Sequence, residues 1–125
     1  MVAVSGVVLA GCGGSNSASG QARAQDAQAK EAALNAETRL EACFVDAQTY
    51  RGCETPAQLA AAGGSAPPLG SGPGQLQIKT AAQSYSITAH SRSGNLFVLA
   101  KDPSARIRRT CQAKKTAGGC LGGAW

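Results

Sequence analysis

From Gln21 to Gln48 the chain carries neither glycine nor proline, although the whole sequence holds 16 glycines and 5 prolines. The stretch is built largely from Ala, Gln, Glu, Lys, Arg and Leu, residues that lose little freedom in a helix. Ala29, Ala33, Ala36, Leu40, Cys43 and Ala47 recur at alternating steps of four and three, which draws one apolar stripe, widened at its end by Phe44. One long helix is therefore expected. Its first half offers only alanines on the stripe, so it is expected to project half-exposed, with Leu40 to Ala47 as the docking part. If Cys43 is to reach Cys53, their Cα atoms must lie within about 7 Å. At about 1.5 Å of rise per residue, a helix running past Tyr50 would leave too little chain to return, so it should end between Ala47 and Tyr50.

The remaining cysteines bear on how so small a chain holds together. With two Phe, two Tyr and one Trp in 125 residues, the apolar area available to a core is limited, and covalent staples are expected. Cys43, Cys53, Cys111 and Cys120 form an even set that allows three pairings. Cys43–Cys53 and Cys111–Cys120 are favoured because each closes a short local loop, worth roughly 3 kcal/mol by the chain-entropy estimate. Zinc is disfavoured: no Cys-x-x-Cys spacing or histidine cluster is present.

The fifth cysteine stands apart. Val8-Leu9-Ala10-Gly11-Cys12 looks like a bacterial lipobox, the end of a lipoprotein signal peptide. An apolar run precedes it, and Gly13 to Gly20 follow as a small, polar tether. Residues 1–11 are read as the signal peptide, 12–21 as a flexible tether, and 22–125 as a single domain. The similarity implies lipid on Cys12 and a membrane partner on the extracytoplasmic side. Nowhere does the sequence contain the roughly 18 or more consecutive apolar residues of a spanning helix.

Downstream of the helix, Thr55-Pro56 followed by Ala57 to Ala62 and Gly63 reads as a short second helix, with Thr55 as N-cap, Pro56 in the first turn and Gly63 as the stop. Ser65 to Gln75, with three prolines, is a loop. The period then changes to two. Leu76 to Lys79, Tyr85 to Ala89, Asn95 to Ala100 and Arg106 to Thr110 read as strands, separated by the turn signals Ser91 to Asn95 and Asp102-Pro103-Ser104. The expected class is α+β: a long N-terminal helix packed on a four-stranded antiparallel meander, stapled by disulfides.

That order resembles the globular part of type IV pilin-like and pseudopilin proteins. The resemblance rests on Leu40-Glu41-Ala42-Cys43 with Thr49-Tyr50-Arg51-Gly52-Cys53, on Tyr85-Ser86-Ile87-Thr88-Ala89 with Ser93-Gly94-Asn95-Leu96-Phe97, and on Arg109-Thr110-Cys111 with Gly118-Gly119-Cys120. It covers about Ala24 to Trp125. It implies a pilin-like fold and, through the competence pilins of the family, DNA as one partner to consider. The chain departs from the family in showing no Gly-Phe processing site, no glutamate shortly after it, and no long apolar helix. The lipid anchor would replace only the membrane-holding role of that helix.

Catalytic residue sets are absent from this reading. His90 is the single histidine and sits by a Ser-rich turn. Glu37 and Glu41, one helical turn apart, are expected on a solvated face. No Gly-x-Ser-x-Gly occurs, and Gly118-Gly119 lacks the strand-to-helix context of a phosphate loop. The chain is expected not to be an enzyme and to use no cofactor and no metal. The feature left is charge. Residues 1–54 hold four basic and six acidic side chains, residues 55–125 eight basic and one acidic. Arg106, Arg108, Arg109, Lys114 and Lys115 cluster, with Arg106 and Arg108 expected on the exposed strand face and the lysines at the tip of the stapled loop. The function expected is a surface-anchored structural or interaction module of the cell envelope. The alternative is a binding module for an anionic polymer, DNA being the least favoured. The bland explanation of the cluster is a strand edge kept soluble by charge.

Overall fold

In the computed structural model the described residues are 18–61, 63–114 and 118–125. Cys12, with the proposed signal peptide and most of the tether, and Lys115 lie outside them. Helix α1 spans Ala18–Ala47, beginning ahead of the expected Gln21. It stops where the disulfide argument placed the end. Gln48 takes a left-handed φ of 57°, its N–H donates to the Phe44 carbonyl (2.8 Å), and its side-chain amide donates to the Val45 carbonyl (2.9 Å). A polar side chain thus closes the last turn where glycine is the usual choice. The short helix α2, Pro56–Ala61, starts as read: Thr55 Oγ1 accepts the Gln58 N–H at 3.3 Å.

The four strands β1 (Leu76–Thr80), β2 (Tyr85–His90), β3 (Leu96–Lys101) and β4 (Ile107–Gln112) form an antiparallel meander in chain order. Partner residues across the ladders share a face. Leu76, Ala89, Phe97 and Cys111 make one cross-sheet row on the helix side, and Ile78, Ile87, Leu99 and Arg109 the next. Helix α1 lies over β2 and β3. Its Ala29, Ala33, Ala36 and Leu40 are buried against Tyr85, Ile87, Ala89, Phe97 and Leu99.

The expectation that the first half of α1 projects is overturned. Ala22, Asp26, Ala29, Ala33 and Ala36 are all buried, whereas Val45 is 70% exposed. An alanine stripe lets the helix axis approach the sheet closely, so the small side chains are a means of docking rather than a sign of exposure. Both favoured disulfides are present. Cys43–Cys53 (Cα–Cα 5.9 Å) ties the end of α1 to the loop before α2. Cys111–Cys120 (5.8 Å) folds the C-terminal segment back on β4, and Trp125 then packs edge-on to Phe97 at 5.9 Å.

Candidate functional site

Strand β4 carries the basic cluster along an edge of the sheet. The turn before it is built by Asp102, whose Oδ1 accepts the Ser104 N–H (2.9 Å), the Ser104 hydroxyl (2.6 Å) and the Arg106 N–H (3.0 Å). These bonds, Ser104 first, hold the Asp102 carboxyl below its ordinary range. Arg108 projects from the face away from α1, in one row with Ala100, Ser86 and Lys79. Arg109 projects on the helix side, its guanidinium 5.3 Å from the centre of the Trp125 ring, an ordinary cation–π distance. Lys114 lies at the far end of β4, where its N–H donates to Asn95 Oδ1 at 2.8 Å.

The structure therefore divides the cluster. Arg106 and Arg108 stand near one end of β4, Arg109 crosses to the opposite face, and Lys114 is separated from Arg106 by the length of the strand, about 20 Å. Lys79, from the other edge, joins Arg108 on the open face instead. The paired rows of that face otherwise hold Gln77, Thr88, Val98, Thr110, His90, Leu96 and Gln112 and no carboxylate, while Asp102, whose N–H donates to the Arg106 carbonyl and whose carboxyl the Arg108 charge helps to lower, borders them. Lys79 was legible as an outward residue of an alternating strand, but its alignment with Arg108 depends on sheet register. His90 closes β2 rather than sitting in the turn, with its Nε2 2.7 Å from Gln77 Oε1.

Two polar nodes, one buried and one half-buried, fix this scaffold. Asp26 is fully buried. Its Oδ1 accepts the Ser91 and Ser93 hydroxyls, both at 2.6 Å, and its Oδ2 accepts the Asn95 amide at 2.9 Å and the Gly119 N–H at 2.8 Å. Burial alone would raise its carboxyl, but the hydrogen bonds outweigh that and hold it below its ordinary value. Lys30 donates to the Gly119 carbonyl at 2.7 Å. One helical carboxylate thus gathers the β2–β3 turn and the stapled C-terminal loop. Gly118, at a positive φ of 48°, leaves space that a Cβ would take from the Asp26 carboxylate, which accounts for the glycine pair.

The second node joins Glu41, Tyr50 and Lys101. Lys101 Nζ lies 3.0 Å from Glu41 Oε1 and 2.7 Å from Tyr50 Oη, and Tyr50 donates to Glu41 at 2.8 Å. Burial works against the Glu41 charge, yet the bonds from Lys101 and Tyr50 prevail and lower its carboxyl. Tyr85 beside them is raised well above the ordinary phenol range, by burial first and then by the Glu37 and Glu41 charges. Glu37 and Glu41 are thus half-buried at the margin of the packed layer rather than on the solvated face expected of them.

Among the described residues no group of three or more His, Cys, Asp or Glu is placed to hold a metal, and no helix is long and apolar enough to cross a membrane. A cleft between α1 and the β1–β2 end holds about 180 Å³, and a more open groove beside the β1–β2 turn, reaching Lys101 and Pro103, holds about 390 Å³. No family model, no curated protein and no solved structure matches the chain.

Proposed function

We propose that this chain is an exported domain, held at the outer face of a membrane by lipid on Cys12, that serves as a structural or interaction module of a bacterial cell envelope. The observation that carries the reading is the pair of disulfides. They close the end of the long helix and the C-terminal loop of a domain with few large apolar side chains, and such staples persist in oxidising compartments. The lipobox-like Val8 to Cys12 supplies the point of attachment. A helix laid on a four-stranded meander, with a disulfide at each end, supports the pilin-like relationship that the sequence suggests. Substituting Cys12→Ala should abolish incorporation of labelled fatty acid and release the protein from membranes or leave it unprocessed. Equal labelling of wild type and variant contradicts the reading.

A second reading, an anionic-polymer module, is favoured by the open sheet face with Lys79 and Arg108 and no acid in its rows. DNA is the least favoured polymer, since no Phe, Tyr or Trp stands in the paired rows of that face to offer a base to stack on. The test is salt-dependent retention on anionic matrices, DNA included. Substituting Arg106, Arg108, Lys114 and Lys115 with no effect on retention would return these residues to the role of keeping an edge soluble.

A further inference from the structure

We propose that the end of the domain nearest Cys12 rests on anionic lipid headgroups through Arg23, Arg92 and Lys114. The inference deepens the anchored-module reading and rests on it for the attachment at Cys12; the cations, and the fold that gathers them, stand without it.

Reach comes first. Six peptide steps separate Cys12 from Ala18, where α1 begins, and even fully extended they span no more than about 20 Å. A chain held by lipid at Cys12 therefore keeps the start of α1 near the membrane surface. The fold decides which elements accompany it. Asp26, about 12 Å along the helix, gathers Ser91, Ser93, Asn95 and Gly119. The β2–β3 turn and the C-terminal loop are thus pinned to the first turns of α1. The end of β4 comes with them, because the Lys114 N–H donates to Asn95. The β1–β2 and β3–β4 turns lie at the opposite end of the sheet, with the last turns of α1, where Lys101 meets Glu41 and Tyr50.

Charge then selects the surface. Arg23 on α1, Arg92 in the β2–β3 turn and Lys114 just after β4 are all exposed. Among the described residues the ion pair joins Lys101 to Glu41, so no carboxylate neutralises any of the three. The acids are distributed the other way. Asp26 is buried among its own hydrogen-bond donors, and the next acid along α1 is Glu31. Asp46 follows near the end of the helix, Glu54 accepts from Thr80 at the end of β1, and Asp102 builds the β3–β4 turn. The tethered end thus presents cations, and the far end mixed charge. Each basic side chain close to an anionic leaflet favours contact about fivefold, so three favour this pose by on the order of a hundredfold at low salt. The attraction extends only about 10 Å at 0.1 M salt, and the short connection to Cys12 brings these three side chains within its range.

The test couples the oxidised full-length chain through the Cys12 thiol, the other cysteines being paired, to a maleimide lipid in nanodiscs. The coupling fixes the attachment whether or not a cell lipidates that residue. Discs of phosphatidylcholine and discs of phosphatidylglycerol each carry a gadolinium-chelating lipid, which broadens the amide signals of residues close to the bilayer. The amides of Arg92, Ser93 and Lys114 should broaden at least about fivefold more in the anionic discs than in the neutral ones, and added salt should remove the excess. Those of Gln83 and Ser104, at the far end, should not change. The triple variant R23E/R92E/K114E should lose the excess, with its spectrum in neutral discs showing that it is folded, whereas K79E/R108E should keep it. Equal broadening in the two kinds of disc overturns the proposal. So does an excess that survives the triple variant and disappears in K79E/R108E, which would lay the open sheet face on the lipid instead. Absence of fatty-acid labelling at Cys12 in cells would overturn the anchor reading separately, because the chemical coupling supplies the attachment in either case.

Discussion

Asp26 brings a carboxylate to a position where the neighbouring stripe residues are alanines. Moving back from Ala29 by the same steps of three and four reaches Asp26 and then Ala22, so its burial was readable from helical register, and a buried charge needs partners. The partners were not readable, because Ser91, Ser93, Asn95 and Gly119 lie far along the chain and meet only when the meander has formed. Substituting Asp26→Ala leaves those donors unsatisfied and should cost about 3 kcal/mol in denaturant unfolding. The pH dependence has a definite sign. The folded carboxyl lies below its ordinary value, so its contribution is fully present above the unfolded value, about 3.9. It is lost as the pH falls through the folded value, because the unfolded chain takes up the proton first. Wild type should therefore lose stability more steeply than Asp26→Asn on acidification below about pH 5. Parallel curves for the two proteins would show that the carboxylate is not held as described.

At the level of elements, helices, strands and staples were legible because each has a local cause: Thr55 and Pro56 start α2, alternation marks the strands, and short loops favour the two disulfides. The depth of docking was misjudged because it depends on the distance between layers, which an alanine stripe shortens. Ala33 should accordingly resist enlargement. Ala33→Leu should cost about 1–3 kcal/mol by overpacking, whereas Ala27→Leu, on the exposed side of the same helix, should stay within about 0.5 kcal/mol. A projecting helix would tolerate both alike, and thermal unfolding of the two variants distinguishes the cases. The alternation along β4, with Arg108 on one face and Arg109 on the other, was legible, whereas the alignment of Lys79 with Arg108 was not, because it depends on the register of four strands. Removing the first staple with a Cys43→Ser, Cys53→Ser double variant should cost about 2–5 kcal/mol, measured against reduced and oxidised wild type.

For the whole molecule, self-assembly depends on how the apolar surface is used. The alanines that might have packed one subunit on the next are covered by the chain's own sheet. The large apolar side chains exposed among the described residues, Val45, Ile107 and Leu121, are scattered over the end of α1, the β4 edge and the C-terminal tail. Assembling a homopolymer would have to overcome several kcal/mol of lost rigid-body freedom per subunit, and these single side chains offer little to offset it. A monomer fits this surface better. Sedimentation velocity of the oxidised full-length Cys12→Ala chain, at rising concentration and physiological salt, tests that claim most directly. A single species of about 12.5 kDa, unchanged across the series, is the expected result, and ordered polymers growing with concentration would contradict it.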